Sequence, residues 1–489
     1  MISSLTPFFP ALKCCLAPMR QCVANAAKHI SASTLCQLET RFGPCLPAAL
    51  FAKAADGANS RDRTYTQKRT FWCFLWQCLN VNTSGREVVR QLQALLALEG
   101  AASISPEDGA YCIARQRLPE ALFARALLAT AAACDRTAPE SAFLQGRPVK
   151  LVDGSSVTIP DTPQNQREYP QVGTMKKGCS FPVMKVVALF SLLSGAVLAA
   201  GCGHINVSEF RLLYDLLPHI SPPDILVADR GFGNCCVLGW LQSMKIDFIA
   251  RSSRKADGRR RLHRLARNDW LMTWRRNDHS AVIPRELFAT FPRQFTVRIV
   301  RGSVYRQGFR VRQVTLVTTL LDAKLYPAAD ILRAYLRRWR LETCLNDLKT
   351  TLGMNMLSCK SPAMVRKEMR MHLIAHNLIR YAIASAAAEH GADLERISFK
   401  GTIDALRQFT NAMAQTRSAK KRKELWHCLL RTLASDLVPY RPGRREPRAV
   451  KQRSQKYDRL TTPRHQYKDR PKRHERRRLS KRRLLRSLI

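Results

Sequence analysis

Residues 224–232 read D-I-L-V-A-D-R-G-F, a short apolar strand that ends at an acidic residue, Asp229. Segments with the features of strands and helices lie on both sides of it. The strand-like segments are 150–159, 181–194, 196–202 and 247–250, and the helical ones are 208–217 and 235–244. The resulting order is strand, strand, strand, helix, strand, helix, strand. This order predicts an α/β fold with a mostly parallel sheet and helices on its faces.

The remaining sequence divides by composition. A helical pattern with Asp330 as its cap extends to about Leu352, where Gly353 is a stop signal. A basic run opens the region before it, at Arg251, Arg254, Lys255, Arg259, Arg260 and Arg261. The predicted organisation is a helical N-terminal domain (1–145), a first part of the α/β core (146–250), a β-rich insertion (251–323), a second part of the core (324–390), a helical region (391–439) and a basic tail (440–489). The N-terminal domain is expected to bind the polyanion that the net charge indicates, and the tail is expected to be disordered without it.

The charge balance indicates a polyanionic partner. The 489 residues carry 81 Lys plus Arg against 37 Asp plus Glu, a net charge of +44. Basic side chains bind phosphates with release of condensed counterions, so DNA, RNA or an anionic membrane would each suit this surplus. Small ribosomal and chromatin proteins are equally basic, but they are usually shorter and poorer in apolar residues than this chain, which is 46% hydrophobic.

The sequence gives no indication of a membrane protein. Its longest weakly charged run, 186–203, is interrupted by the turn signal Ser194-Gly195 and predicts two buried strands. The N-terminus lacks a secretory pattern, and the 16 cysteines include no C-x-x-C pair. Reduced cysteines that pack as small apolar residues are typical of a cytoplasmic protein, which is the predicted location.

Residues 335–349, Y-L-R-R-W-R-L-E-T-C-L-N-D-L-K, have an unusual helix face. Tyr335, Arg338, Glu342 and Lys349 fall within about 60° of one another at 100° per residue. Two cations, a carboxylate and a phenol on one face suit the binding of phosphates and a metal ion. A solvated face with i,i+4 ion pairs such as Arg338 with Glu342 is the alternative.

Two further acidic residues favour the metal site. Asp153 lies in the strand-like V-D-G-S-S, and Asp229 ends its strand before Arg230. Strand ends in open α/β sheets are common ligand sites, although either aspartate alone would also suit a turn or helix cap. Chemistry at phosphodiesters uses paired hard cations held by carboxylates. The three acids Asp153, Asp229 and Glu342 are therefore the predicted metal ligands and catalytic residues.

These motifs resemble those of the DDE transposases of bacterial insertion sequences, specifically the insertion-sequence-four group. The Tyr-Arg-Glu-Lys signature of the group is matched in full by the helix above. Its two aspartate motifs are matched by Asp153-Gly154-Ser155 and Asp229-Arg230-Gly231-Phe232. The resemblance covers about 150–385. It implies a ribonuclease-H-like core interrupted by a β-rich insertion, Mg²⁺ as cofactor with Mn²⁺ as a substitute, and cut-and-paste transposition of double-stranded DNA by a homodimer.

The resemblance also implies DNA-binding roles for Tyr335, Arg338, Lys349 and, as a weaker candidate, Arg230. In this group the cleaved end forms a hairpin, and a base flipped out of it needs an aromatic surface. Trp270 and Trp274 in the insertion are candidates for that stacking, with core residues as the alternative interpretation.

Two other functions use the same residues. A metal-dependent nuclease of the same fold would share the three acids without strand transfer, and a catalytically inactive derivative would only bind DNA. The complete signature favours a transposase over the first, and the three intact acids argue against the second.

Overall fold

A computed structural model describes residues 38–52, 64–98, 102–174, 176–252, 261–276, 283, 285–304, 312–416, 418–439 and 462–463. The predicted basic tail, apart from Thr462 and Pro463, and most of the basic run at 251–261 lie outside the described residues.

Four helices make up most of the described N-terminal region. They are α1 (Gln67–Leu79), α2 (Gly85–Leu98), α3 (Gly109–Arg117) and α4 (Glu120–Thr137), preceded by short 3-10 turns at Gly43–Cys45 and Ala48–Phe51. Helix α1 starts where the Thr66 side chain accepts a hydrogen bond from Arg69 N, the usual N-cap geometry. The described residues of this region are thus mostly helical. A separate N-terminal domain that binds DNA stays a prediction.

The centre of the protein is a nine-stranded sheet. Its strands are β1 (Val149–Thr158), β2 (Val183–Ser191), β3 (Val197–His204), β4 (Ile225–Ala228), β5 (Asp247–Arg251), β6 (Arg261–Ala266), β7 (Asp269–Arg275), β8 (Gln294–Val304) and β9 (Arg312–Thr318). They are arranged in the order β3-β2-β1-β4-β5-β9-β8-β7-β6. The strands predicted between 150 and 250 all form.

The prediction of a mostly parallel sheet is wrong. Among the described strands, β4 is parallel to both β1 and β5, and every other neighbouring pair is antiparallel. The reason is loop length, since a parallel pair needs a long crossover and a short turn joins antiparallel neighbours. Strands β2 and β3 are joined by such a turn, in which Gly195 adopts a φ of +75°.

The region predicted as a β-rich insertion does not form a sheet of its own. Strands β6 to β9 form a meander, and β9 pairs directly with β5, where Ile249 is opposite Thr318. The insertion therefore continues the central sheet. Strand β9 leads back into the helices that follow.

Helices cover both faces of the sheet. The remaining helices are α5 (Pro163–Glu168), α6 (Glu209–Leu216), α7 (Cys235–Ser243), α8 (Arg285–Ala289), α9 (Ala328–Arg337), α10 (Arg340–Asn346), α11 (Pro362–His390), α12 (Phe399–Gln415) and α13 (Ala419–Ser435), with a 3-10 turn at Leu217–His219. One apolar cluster joins the sheet to α9, α10, α11 and the N-terminal helices, and a second lies beneath α6, α7 and α8. None of the described helices is long and apolar enough to cross a membrane.

Candidate active site

Asp153 lies near the middle of β1, the strand that pairs in parallel with β4 and in antiparallel with β2. Its Oδ1 accepts a hydrogen bond from Gly154 N at 2.8 Å, and its Oδ2 is 3.3 Å from Nη1 of Arg338. Burial raises the pKa of the Asp153 carboxyl, the Gly154 N–H and Arg338 oppose this rise, and the charges of Asp229 and Glu209 add to it. The carboxyl is thus held among both cationic and anionic neighbours.

Asp229 follows β4 directly. Because β4 is parallel to β1, with Leu151 opposite Val227, the carboxyl ends of the two strands lie at the same edge of the sheet. The Oδ1 of Asp229 accepts a hydrogen bond from Gly231 N at 2.8 Å, which fixes the turn after the strand. Arg230 is exposed. This position suits contact with DNA and an ordinary surface charge equally.

Glu342 approaches the same edge from α10. Its side chain is 55% exposed, and its Oε1 lies 4.0 Å from Nη2 of Arg338. The predicted i,i+4 pair therefore exists, but Arg338 also contacts Asp153 on β1. One guanidinium thus connects two of the three predicted metal ligands.

The signature segment differs from the single helix that was predicted. Helix α9 begins at Ala328 after Pro327, so Asp330 is not its cap but a first-turn residue paired with Arg333. The helix is interrupted at Arg338 and Trp339, continues as α10, and ends in a π-helical turn at Asp347–Thr351. Gly353, with a φ of +75°, ends it as predicted. Propensity alone does not show the interruption, because none of the residues at it is a Gly or Pro.

The other two signature residues lie on the same side of β1. The Nζ of Lys349, within the π-helical turn, donates to Ser155 Oγ at 3.3 Å. Tyr335 is buried, and its ring centroid is 5.6 Å from the Arg338 guanidinium carbon. Arg338 and Lys349 thus contact the Asp-Gly-Ser motif of β1 directly, and Arg338 in turn contacts Tyr335 and lies near Glu342.

The donor atoms suit a hard divalent cation, because all three predicted ligands are carboxylates. Their arrangement is open: no three His, Cys, Asp or Glu side chains in the described part of the chain are close enough together to hold a metal ion. Arg338 occupies the space between Asp153 and Glu342.

Trp270 and Trp274 are not brought to this site. Both lie on β7 and are buried, at 1% and 3% exposure, in the apolar cluster beneath α7 and α8. The guanidinium of Arg301 covers the Trp270 ring at 4.9 Å. A buried indole offers no face to a flipped base, so the core interpretation accounts for both residues in this conformation.

Sequence reasoning missed Glu209. This residue begins α6, and its Oε1 would lie 2.3 Å from a Cβ at Gly154, so its carboxylate rests against the backbone of β1. An acidic residue after the cap Ser208 is already explained as a favourable first-turn charge. No sequence signal indicated its approach to Asp153, which only the fold creates.

Comparison with known proteins agrees with this geometry. Residues 144–378 match the family described as "Transposase DDE domain". This match indicates a DDE transposase.

A more particular likeness is to the transposase InsG for insertion sequence element IS4 from Escherichia coli (strain K12). It is 24% identical over 402 residues, which cover 81% of this chain and 88% of the relative. Together with the complete signature, this likeness supports a DDE transposase of the insertion-sequence-four group, as the motifs predict. It is an enzyme whose function is DNA transposition.

Among solved structures, the chain is similar to a piggyBac transposase synaptic complex with hairpin DNA. The TM-score is 0.37 at 8% identity, with 87% of each chain covered. This likeness is too remote to inform the fold or the site.

Proposed function

We propose that the protein excises and reinserts an insertion sequence by cut-and-paste transposition, with Asp153, Asp229 and Glu342 as ligands of two Mg²⁺ ions. The observation that carries the proposal is the convergence of the signature on β1. Arg338 contacts Asp153 and approaches Glu342, Lys349 contacts Ser155, and the charge of Asp229 acts on Asp153. Mn²⁺ would substitute, because the same hard oxygen ligands accept it.

The sheet supports a ribonuclease-H-like core. In the order β3-β2-β1-β4-β5, only β4 joins its two neighbours in parallel among the described strands. We infer a core formed by residues 146–250 and 324–390, with 251–323 inserted as an extension of the sheet. The flanking domains would be 1–145, for DNA binding, and 391–439.

Each side chain has a distinct role in this proposal. Paired divalent cations, when bound, would activate a water or a 3′-hydroxyl and stabilise the leaving oxygen. The three carboxylates would hold these cations at the sheet edge, where β1 and β4 fix the positions of Asp153 and Asp229. Arg338 and Lys349 bind backbone phosphates of the transposon end, and Arg230 extends this basic surface. Tyr335, predicted to bind DNA, is buried against Arg338 and would contribute by orienting that side chain toward the phosphates. Two ends must be joined, so we infer at least a homodimer in the synaptic complex.

The test is cleavage of DNA that carries the ends of the element, with Mg²⁺ present. Asp153→Ala, Asp229→Ala and Glu342→Ala should each abolish cleavage while leaving DNA binding largely intact, because the basic surface remains. Gel-shift and nicking assays on the same preparations separate the two effects. Near-normal nicking by one variant would show that the substituted residue is not a catalytic residue. Cleavage by the unaltered protein without any joined product would instead indicate a nuclease.

A further inference from the structure

Arg338 is placed as an internal cation of the proposed site. Its side chain is only 12% exposed, and its two terminal nitrogens face two different carboxylates. Nη1 lies 3.3 Å from Asp153 Oδ2, and Nη2 lies 4.0 Å from Glu342 Oε1. The guanidinium therefore spans the gap between a ligand on the sheet and a ligand on α10.

A divalent cation would need the same oxygens. Mg²⁺ binds carboxylate oxygens at about 2.0–2.1 Å, and two positive charges a few Å apart repel one another strongly in a partly buried site. We propose that Arg338 keeps the site closed to divalent cations until DNA is bound, and that a phosphate of the transposon end draws Arg338 away from Asp153. This inference rests on the proposed function, since it takes Asp153 and Glu342 as metal ligands.

The contacts of Arg338 suit such an exchange. Its Nε is buried and has no hydrogen-bond acceptor in the described part of the chain, and its two carboxylate contacts are longer than ideal charge-assisted hydrogen bonds. A phosphate would offer two oxygens in the fork geometry that a guanidinium prefers. Arg338 also lies in the turn between α9 and α10, outside both helices. Lys349, the other cation of the signature, donates to the neutral Ser155 hydroxyl, so the proposed exchange concerns Arg338 alone.

The experiment measures Mn²⁺ binding to the full chain by electron paramagnetic resonance of free Mn²⁺, with and without a duplex that carries an element end. Without DNA, Arg338→Met should bind Mn²⁺ at least about tenfold more tightly than the unaltered protein, equivalent to about 1.4 kcal/mol. Saturating duplex should tighten binding by the unaltered protein to a similar degree and change the variant little. Asp153→Ala with the same duplex measures the Mn²⁺ held by DNA phosphates alone.

Two further variants complete the design. Arg333→Met removes the same charge from α9 at a position paired with Asp330, and it should leave Mn²⁺ affinity unchanged. Arg338→Lys keeps the charge and should bind Mn²⁺ as weakly as the unaltered protein. If Arg338→Met fails to fold, the effect of DNA on the unaltered protein decides the question.

The outcomes separate the two proposals. Equal Mn²⁺ affinity of the unaltered protein with and without DNA would overturn the exchange, provided that Asp153→Ala still loses binding. If Asp153→Ala on the same duplex bound Mn²⁺ as tightly as the unaltered protein does, the proposed metal site would instead be overturned.

Discussion

Gly233 shows how tightly single residues control the position of the second aspartate. It lies in the loop that connects Asp229 to α7, and a Cβ there would be 2.2 Å from the carbonyl oxygen of Arg251 on β5. A backbone atom of a central strand cannot move aside as the end of a side chain would. We therefore expect Gly233→Ala to lower the free energy of unfolding by about 1–3 kcal/mol. It should also reduce end cleavage through displacement of Asp229, measured by chemical unfolding and nicking assays.

Gly173 provides the matched control. A Cβ at Gly173 would meet no atom within 4 Å, so Gly173→Ala should change neither stability nor cleavage. If Gly233→Ala proved as stable as Gly173→Ala, the loop after Asp229 would have to be more adaptable than its contact with β5 indicates.

At the residue scale, the motifs of the site could be predicted from the sequence, but the contacts between them could not. The motifs around Asp153, Asp229 and Glu342 were recognisable because each is contiguous or has helical spacing. The contact of Arg338 with Asp153 joins residues 185 positions apart, and nothing in the local pattern of either residue encodes it. Glu209 was missed for the same reason. Local spacing thus identifies candidate side chains for the site, whereas the three-dimensional fold decides which of them touch.

At the scale of elements, hydrophobic patterning predicted which strands form better than it predicted how they are arranged in the sheet. The period of two in β1 and the apolar run of β4 predicted those strands, because burial of one or both faces imposes these patterns. Strand direction depends on loop length and pairing partners, so the parallel sheet was predicted wrongly. The interruption of the signature helix at Arg338 and Trp339 was also invisible, since helix-forming residues continue through it.

A buried ion pair links β7 and β8 of the inserted region to the segment just before α9, the helix in which the signature begins. Arg298 on β8 is fully buried, donates Nε and Nη2 to the two oxygens of Asp269 on β7, and donates Nη1 to the carbonyl of Tyr326 just before α9. Asp269→Ala would leave the guanidinium buried without its counter-charge. We expect a loss of about 3–5 kcal/mol in the free energy of unfolding, measured by denaturant titration.

The exposed pair of Arg86 with Glu107 is the comparison for this prediction. Both side chains are more than half exposed, so Glu107→Ala should cost less than about 1 kcal/mol. Asp269→Leu combined with Arg298→Met should recover much of the stability lost in Asp269→Ala, because neither charge is then left unpaired. Equal effects of Asp269→Ala and Glu107→Ala would show that the buried pair does not fasten the extension.

At the scale of the whole molecule, the net charge of +44 is unevenly distributed along the chain. Residues 440–489 contain 20 Lys plus Arg against four acidic residues. Because such a segment contacts phosphates and not base edges, deletion of 440–489 should weaken DNA binding with little change in sequence preference. Fewer released counterions should also make the plot of log affinity against log salt concentration less steep.

A chain with the tail residues in scrambled order should keep the original slope, since composition and not order sets the number of phosphate contacts. Titrations of end DNA and unrelated DNA at several salt concentrations measure both quantities. An unchanged slope after deletion would assign the tail to another role, such as contact with a protein partner.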